Sequence, residues 1–513
     1  MVHHDVLILG AGSAGCVLAA RLSEDPDCRV ALLEAGDFPR DPDIDRPDLW
    51  PFIQGRAFDW DFETLPQPHT ANRIHRWARG KVVGGSSCLH AMAHVRGHAD
   101  DFAFWAEAAG GDRRWSFEGL LPGFKRSETF DGPPTSNHGT GGPMTVHLPD
   151  LETEVNPVVG AYMEAGRALG VPALVEHNDG PMKGACPNSL TIKDGLRVTV
   201  ATAYLTRDVL ARPNLTILTG RRILRLKLAK GRIVGVEVEA DGVVTVLEAD
   251  RILLALGAIG TPLLLMRSGI GDGRVLAKAN VSCLLDRREV GRNLQDHLLT
   301  AGNVYLAKQP VPPSRLQLSE SLMYLDAEDI SRPDGSPDVV LGCVTAPSVT
   351  AAFPSPAAMG EAYTLLSGVC HPTSRGVLAI TGPDLDAPPM IDPAYLSTDH
   401  DRRMARRALE LARLVGGGEA LVPWRAAEAL PGPSVTEQEA VDHFLSKAVM
   451  THHHPCGTCR MGADEGAIVD PDLRVRGVEN LWIVDASVIP RIPAGPIHAA
   501  VLAVAEAAAA QLR

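Results

Sequence analysis

The sequence predicts an α/β protein built on a parallel β-sheet with helices on both faces. Residues 4–34 read as a strand, a glycine-rich turn, a helix and a second strand. Residues 252–271 repeat the step from strand to helix. The chain has 513 residues, 45% of them hydrophobic, which gives room for a large core and for two domains.

The first strand-helix-strand unit carries a dinucleotide-binding pattern. The apolar run His4 to Leu9 leads into Gly10-Ala11-Gly12-Ser13-Ala14-Gly15, and the run Arg29 to Leu33 ends at Glu34. Such glycines admit a pyrophosphate to a helix N-terminus, and an acid about 20 residues later accepts hydrogen bonds from a ribose. The pattern fits NAD or FAD equally, whereas Glu34 would repel the extra phosphate of NADP. The alternative is a turn that serves helix packing only.

Three later segments extend the predicted α/β pattern. The apolar run Ile252 to Leu256 is followed by Gly257 to Gly271, where the pair Thr261-Pro262 predicts an N-cap and the first helical residue. Leu481 to Val484 reads as another strand. Ile497 to Leu512 is alanine-rich and apolar on nearly all sides, which predicts a buried helix.

The histidines near the C-terminus suggest acid-base chemistry. Thr451 to Gly462 reads THHHPCGTCRMG, and Pro496-Ile497-His498 follows downstream. Because the unperturbed pKa of histidine is about 6.5, two imidazoles at one site could share a proton and deprotonate an alcohol. If the first segment is extended, His452 lies on the same face as His454 and lines the substrate pocket. A structural role for His452 and His453 is an equally good interpretation.

Two other interpretations of the same segment are less favoured. Consecutive His452, His453 and His454 cannot all face one ion without distortion, and no second cluster has zinc spacing, so we expect no metal. Cys456 and Cys459 have CxxC spacing, but they do not open a helix after a thioredoxin-like strand. We therefore do not expect them to act as a redox dithiol.

Composition excludes several classes of partner. A net charge of -13 disfavours nucleic acid and anionic membranes.

The first strand begins almost at once, leaving no room for a signal peptide, which favours the cytoplasm. Nine cysteines, an odd number, do not form a disulfide framework. The most apolar stretches are too short or too interrupted for a membrane span.

Several ordered motifs resemble those of the glucose-methanol-choline (GMC) flavin oxidoreductases. The resemblance covers nearly the whole chain, and only the stretches around 150–190 and 300–365 look generic. The motifs are GAGSAG with Glu34, RGKVVGGSS from Arg79, VRG at Val95 to Gly97, GAIGTPLLLMRSGIG, GRNLQDH at Gly291 to His297, HPCGTCRMG and VDASVIP.

The resemblance implies FAD as the cofactor and oxidation of an alcohol to a carbonyl. Choline oxidases that link FAD covalently use a histidine where this chain has Leu89, so we expect non-covalent FAD. The positions implied for cofactor binding are Gly10, Gly12, Ser13, Ala14, Gly15, Glu34, Ala35, Trp60, Val83, Gly85, Ser86, Ser87, His90, Ala91, Met92, Ala93, Ile223, Asp485, Ala486 and Ile497.

By the same resemblance, His454 occupies the position of the family's catalytic histidine. His498 occupies the second position, which is His or Asn in other members. A neutral imidazole is needed because an alcohol transfers hydride poorly until its proton is being lost. With Pro496 as the first residue of the last helix, His498 would lie in the first turn, where the helix dipole disfavours imidazolium. We expect His454 as principal base, His498 as the residue that orients the hydroxyl, and His452 and Pro496 in the substrate pocket.

The substrate and the electron acceptor stay open at this stage. The histidine pair resembles that of members that oxidise aryl alcohols, and the segment HHHP resembles that of members that oxidise pyridoxine. We therefore expect the substrate to be a primary aromatic or heteroaromatic carbinol. Alternatives are choline, aliphatic or sugar alcohol dehydrogenation, a lyase similar to hydroxynitrile lyases, and a binding protein with purely structural FAD. Reduced FAD would give its electrons to O2 or to a quinone-type acceptor.

The order of the motifs implies a discontinuous FAD-binding domain. We expect a Rossmann-like domain formed by residues 1–150, 191–300 and 440–513. Residues 151–190 and 301–439 would form a substrate-binding cap with an antiparallel sheet.

Overall fold

The computed structural model of the protein describes residues 3–513, in which helices surround two large β-sheets. Its α-helices are Ser13–Leu22, Ala99–Ala108, Phe117–Ser127, Pro157–Ala168, Val200–Tyr204, Arg207–Leu210, Gly257–Arg267, Gly273–Lys278, Asp399–Gly416, Gln438–Ala448 and Ile497–Leu512.

The first large sheet has five parallel strands, as predicted. In spatial order they are Leu215–Leu218, Val30–Leu33, His4–Leu9, Ala249–Leu254 and Leu481–Ile483. Residues 6–9 and 30–33 are fully buried and apolar, as required of a parallel sheet that is covered on both faces. The predicted unit of strand, helix and strand at the N-terminus is confirmed.

The second large sheet is antiparallel, which confirms the expectation for the substrate-binding part of the fold. Its strands, in order, are Arg425–Leu430, Leu298–Ala307, Ala362–Val369, Val339–Val344, Ser321–Leu325 and Gly184–Pro187, and Val449–Thr451 also pairs with Leu298–Ala307.

Side chains of this sheet alternate between two buried faces. Met323 and Leu365 pack with the helices Pro157–Ala168 and Asp399–Gly416. Their neighbours Leu322 and Leu366 belong to a separate apolar cluster on the opposite face. The sheet therefore forms a wall with helices behind it and a second apolar surface in front.

Smaller sheets complete the fold. A three-stranded antiparallel sheet consists of Arg222–Ala229, Arg232–Ala240 and Val243–Leu247. Two-stranded sheets pair Phe62–Glu63 with Arg76–Trp77, Glu128–Phe130 with Met144–Val146, Ile192–Lys193 with Leu196–Arg197, Ile270–Gly271 with Leu285–Asp286, and Val377–Ala379 with Met390–Asp392.

The predicted start of the helix after the fourth parallel strand was wrong. The helix is Gly257–Arg267, so Thr261 and Pro262 lie inside it. Gly257 has a φ of +75°, which lets the chain turn into the helix directly after the strand. Pro262 has no N–H for the carbonyl of Ala258, and the Thr458 hydroxyl donates to that carbonyl instead, at 2.6 Å. A distant side chain thus replaces the missing backbone bond.

The last helix is Ile497–Leu512 and is buried along most of its length, as predicted. Pro496 immediately precedes the helix instead of beginning it, because its ψ of 137° is extended. His498 lies in the first turn, as expected. The helix packs against Ser13–Leu22 and Phe117–Ser127, so it connects the first βαβ unit to the rest of the fold.

A buried carboxylate anchors this last helix. The side chain of Glu506 is 1% exposed and accepts hydrogen bonds from Arg21 Nη2 at 2.9 Å and from the Tyr204 hydroxyl at 2.8 Å. Both partners lie on other elements of the fold. The carboxylate therefore fixes the helix that carries His498.

We predict that Glu506→Leu destabilises the protein by about 3 kcal/mol, because Arg21 and Tyr204 lose the acceptor that compensates for their burial. The measurement is the shift of the urea unfolding midpoint. The matched control is Glu410→Leu, which removes an exposed ion pair with Arg407 and should cost less than about 1 kcal/mol. Equal losses in the two variants would contradict the anchoring role.

Candidate active site

The carboxyl ends of the five parallel strands open into one cavity of about 710 Å³. In α/β folds this edge of the sheet is where ligands bind. Each strand is followed by at least one residue of the cavity wall, namely Gly10, Glu34, Ile223, Ala255 and Asp485. The parallel sheet therefore directs its loops at a single ligand site.

The three glycines of the GxGxxG pattern have three different surroundings. A Cβ on Gly10, whose φ is +101°, would lie 2.6 Å from the Ala255 carbonyl oxygen. A Cβ on Gly15 would lie 1.9 Å from the Gly10 carbonyl oxygen. A Cβ on Gly12 would have no protein atom closer than 3.9 Å, and Gly12 lines the cavity. A pyrophosphate-binding loop requires a tight turn, close packing of the following helix and open space through which the ligand can approach the backbone.

Glu34 is held beside this loop. Its two carboxylate oxygens accept hydrogen bonds from the amides of Ala11 at 3.0 Å and Gly36 at 2.9 Å. Burial raises the pKa of Glu34 above its usual range, against the effect of these hydrogen bonds. Each oxygen keeps a lone pair for a ribose hydroxyl. The residues present fit the adenosine half of a dinucleotide.

Most of the residues expected to bind the cofactor lie on the cavity wall. They are Gly10, Gly12, Ser13, Ala14, Glu34, Ala35, Trp60, Gly85, Ser86, His90, Ala91, Met92, Ala93, Ile223, Asp485, Ala486 and Ile497.

Three expected cofactor residues, Gly15, Val83 and Ser87, are not on the wall. Gly15 packs against Gly10, as described above. The Ser87 hydroxyl donates to the Gly84 carbonyl at 2.6 Å and accepts from the Val200 amide at 2.9 Å. These residues support the loops that form the wall.

The histidine segment is positioned by β pairing with a distant part of the chain. Thr451 is directly opposite Leu298 in the antiparallel sheet, and the His452 amide donates to the His297 carbonyl at 2.9 Å. A further bridge pairs Cys456 with Gln295. The residues between these two pairings therefore lie alongside the dipeptide Asp296-His297.

Asp296 and Arg79 hold the backbone of this segment. The Asp296 carboxylate accepts hydrogen bonds from the His454 amide at 2.7 Å and from the Thr451 hydroxyl at 2.6 Å. Burial raises the pKa of Asp296 to about 6. Arg79 Nη2 donates to the His453 carbonyl at 2.8 Å. Because His453 has a φ of +61°, which costs roughly 1–3 kcal/mol, such contacts are needed to keep this conformation.

His454 contacts two other imidazoles. Its Nδ1 lies 3.0 Å from Nδ1 of His297, whose Nε2 lies 2.8 Å from the Cys370 carbonyl oxygen. The ring centroids of His452 and His454 are 4.3 Å apart, so these two residues share a face, as predicted. Loss of solvent lowers the pKa of His452 to about 3, that of His297 to about 4 and that of His454 well below 6.5. All three rings are neutral at pH 7.

The same three rings also have the spacing of a metal site. Nitrogens of His297, His452 and His454 all lie within 4.8 Å of one another. A search for zinc spacing in the sequence misses His297, since only the fold brings it close. One nitrogen of His297 already faces a carbonyl and the other faces His454, which favours a shared proton over a metal. The absence of a metal stays a prediction.

His498 lies on the cavity wall beside His90. The two rings meet edge to face, with centroids 4.6 Å apart, and the Met92 amide donates to Nδ1 of His90 at 3.1 Å. Within the described range 3–513, Nε2 of His90 and both ring nitrogens of His498 have no hydrogen-bond partner. Burial lowers the pKa of His498 to about 3. Unpartnered buried nitrogens at a cavity indicate a ligand with polar groups, such as a flavin or an alcohol.

The second sheet supplies the opposite side of the cavity. Its apolar cluster contributes Leu299, Leu322, Val344 and Leu366 to the wall, and His452, His454, Pro496 and His498 lie on the same wall. The predicted catalytic and pocket residues therefore share one cavity with the predicted cofactor residues.

Sequence reasoning missed the supporting residues Arg79, Asp296 and His297. The last two residues end the GRNLQDH motif. The signal in the sequence was an Asp-His pair directly before a segment that forms a strand, and the structure shows that both residues are buried. The strand pairing that gives them a role cannot be read locally.

The cysteine pair shows no redox character. Cys456 and Cys459 are buried free thiols, and burial raises both pKa values far above the usual range, so the reactive thiolate is disfavoured. In the part of the chain that the structure describes, no helix combines the length and apolarity needed to cross a membrane.

Several known proteins are similar to this chain over nearly its whole length. The chain is 53% identical to the pyridoxine 4-oxidase of Microbacterium luteolum, with 99% of each chain covered. It is 34% identical to the oxygen-dependent choline dehydrogenase of Photobacterium profundum, covering 99% of this chain and 92% of the relative. The crystal structure of pyridoxine 4-oxidase from Mesorbium loti matches with a TM-score of 0.97 and 53% identity, and 99% of each chain is covered.

The family assignment follows from two matched regions. Residues 4–299 match the N-terminal part and residues 372–505 the C-terminal part of the family described as GMC oxidoreductase. Together they cover most of the chain and include the glycine loop and both candidate catalytic histidines. The chain therefore belongs to the GMC oxidoreductase family and is an FAD-dependent alcohol oxidoreductase.

Proposed function

We propose that the protein oxidises a primary alcohol on a heteroaromatic ring, of the pyridoxine type, to the aldehyde, with His454 as the base. The observation that carries the proposal is the single cavity in which neutral His454 and His498 share a wall with a dinucleotide cradle. The pyridoxine 4-oxidase of Microbacterium luteolum, 53% identical over the whole length, supports the substrate class.

The proton step is assigned to the two histidines. Bound FAD supplies the acceptor for the two electrons and the hydrogen of the alcohol C–H bond. The neutral imidazole of His454 accepts the hydroxyl proton. His498, whose nitrogens lack partners among residues 3–513, hydrogen-bonds to the substrate oxygen and orients it. The N-terminus of the last helix favours the negative charge that develops there.

The charge distribution of the cavity favours a neutral substrate over choline. Among the described residues of the cavity wall, the only carboxylates are Glu34 and Asp485. Glu34 is bonded to the glycine loop, and Asp485 accepts from the Gly257 amide and the Thr261 hydroxyl. Both carboxylates are thus held by loops of the parallel sheet, whereas the second sheet contributes apolar side chains such as Leu322, which suit a flat ring. A quaternary ammonium would find no counter-ion there.

We assign residues 1–150, 191–300 and 440–513 to FAD binding and residues 151–190 and 301–439 to the cap. The five strands of the parallel sheet support this assignment, because all of them fall in the FAD-binding ranges. FAD is held non-covalently, since Leu89 stands on the cavity wall at the position of a linking histidine. The electron acceptor is O2 or a quinone-type molecule.

We predict that pyridoxine and benzyl alcohols bleach the flavin absorbance in anaerobic stopped-flow mixing, whereas choline and glucose do so poorly. His454→Ala should keep its flavin but bleach about 10²- to 10⁴-fold more slowly, because the base is gone. Admission of air then distinguishes an oxidase, which reoxidises fast, from a dehydrogenase. Bleaching by choline alone, normal bleaching in His454→Ala, or cyanide release without bleaching would each overturn the proposal.

We predict that neither His454 nor His498 titrates in the pH dependence of the flavin-reduction rate constant between about pH 5 and pH 8, where the ionisable group beside His454 is Asp296, with a pKa of about 6. The lowered pKa values of His454 and His498 keep both rings unprotonated through this range, so protonation reduces the rate only at lower pH. The measurement is the pH dependence of anaerobic reduction at saturating alcohol. A decrease centred near the ordinary histidine pKa of about 6.5 that persists in Asp296→Asn would contradict the neutral, desolvated site.

We predict that Gly12→Ala weakens FAD binding roughly tenfold or more while the apoprotein stays folded. The added methyl meets no protein atom within 3.9 Å but projects into the path of the pyrophosphate. The measurement is fluorescence titration of the apoprotein with FAD. The control is Gly160→Ala, in the helix Pro157–Ala168, where a methyl meets nothing within 4 Å. An unchanged FAD affinity in Gly12→Ala would exclude this binding mode.

A further inference from the structure

The imidazole of His297 lies between the backbone carbonyl of Cys370 and the ring of His454. Its Nε2 is 2.8 Å from the Cys370 carbonyl oxygen, and its Nδ1 is 3.0 Å from Nδ1 of His454. A carbonyl oxygen only accepts hydrogen bonds, so Nε2 of His297 must carry a proton. The surroundings hold this ring neutral, because burial lowers its pKa to about 4. A neutral imidazole carries one proton, so Nδ1 of His297 is an acceptor.

The donor and acceptor roles of the two His297 nitrogens determine which nitrogen of His454 carries the proton. Since Nδ1 of His297 can only accept, the hydrogen bond between the two rings must be donated by Nδ1 of His454. His454 is also neutral, so its Nε2 has no proton. That nitrogen has no hydrogen bond to another described residue, and His454 lines the cavity. The nitrogen available to an alcohol is therefore the unprotonated one.

The backbone contacts of the preceding residue support the same arrangement. Asp296 accepts from the His454 amide at 2.7 Å, so two consecutive residues hold the base by its backbone and by its ring. Neither Asp296 nor His297 lies on the cavity wall. His297 therefore cannot touch the substrate, and any effect on catalysis must pass through His454.

We propose that His297 is a positioning residue that selects the Nδ1-protonated tautomer of His454, through the chain from the Cys370 carbonyl to His297 and from His297 to His454, so that Nε2 of His454 receives the alcohol proton. The inference rests on the proposed role of His454 as the base. Without His297, a neutral His454 could place its proton on Nε2 and present a donor, not an acceptor, to the hydroxyl.

The direct test is ¹⁵N NMR of the flavin-loaded protein with labelled histidine, whose nitrogen shifts distinguish protonated from unprotonated ring nitrogens. Signals are assigned by their loss in His454→Gln and His297→Asn. We expect protonated Nδ1 and bare Nε2 in His454, with the reverse in His297. The opposite tautomer of either ring overturns the proposal. The NMR result does not depend on turnover. It can therefore contradict the tautomer role while the alcohol panel supports the proposed function, or support the tautomer role while the panel contradicts that function.

The kinetic test compares two substitutions of His297. His297→Leu removes the acceptor and should slow anaerobic flavin reduction at saturating alcohol by about 10²-fold or more. Substrate affinity should hardly change, since His297 does not line the cavity. His297→Asn can place an oxygen near the Nδ1 position, and it should recover much of the lost rate. Equal rates in His297→Leu and the unmodified protein, or equal defects in the two variants, would contradict the tautomer role.

A matched control separates this role from the loss of any buried imidazole. His177 is buried, and its two ring nitrogens lie 3.0 and 2.9 Å from the carbonyl oxygens of Met182 and Leu322, of which a neutral ring donates to one at a time. His177→Leu should lower the melting temperature as His297→Leu does, without the same loss in reduction rate. If both variants lose rate in parallel with stability and flavin content, His297 has a structural role only.

Discussion

The site depends on one antiparallel pairing, in which Thr451 lies opposite Leu298. This contact places the histidine segment beside Asp296 and His297, which come from a part of the chain about 150 residues earlier. The backbone of His454 then has a carboxylate acceptor and its ring has an imidazole partner. Without the pairing, the segment would be a strained loop with a left-handed histidine and three desolvated rings. Strand register is thus the basis of the proposed acid-base chemistry.

Desolvation is the second constraint, and it keeps the buried histidines on and behind the cavity wall uncharged. The enclosed rings of His297, His452, His454 and His498 all have lowered pKa values, so none adds positive charge at neutral pH. The carboxylates of the wall are engaged in the turns of the parallel sheet. A neutral alcohol can therefore enter without displacing a counter-ion. Enclosure strengthens each remaining hydrogen bond.

Local patterns predicted the parts of this fold that local physics determines. The first βαβ unit and the last helix follow from glycine spacing, apolar strands and a run of alanines, and the structure confirms them. The start of the helix at Gly257 was mispredicted because the cost of Pro262 is offset by Thr458, which no local window contains. His297 had no assigned role for the same reason, since its partner is remote in sequence. The placement of His454 and His498 in one cavity followed from family resemblance, not from periodicity.

The two candidate catalytic histidines come from different layers of the molecule. His454 follows a strand of the antiparallel sheet, whereas His498 lies in the first turn of the helix that packs on the first βαβ unit. The two histidines therefore share one cavity wall only in a molecule whose antiparallel sheet and last helix are both packed in place.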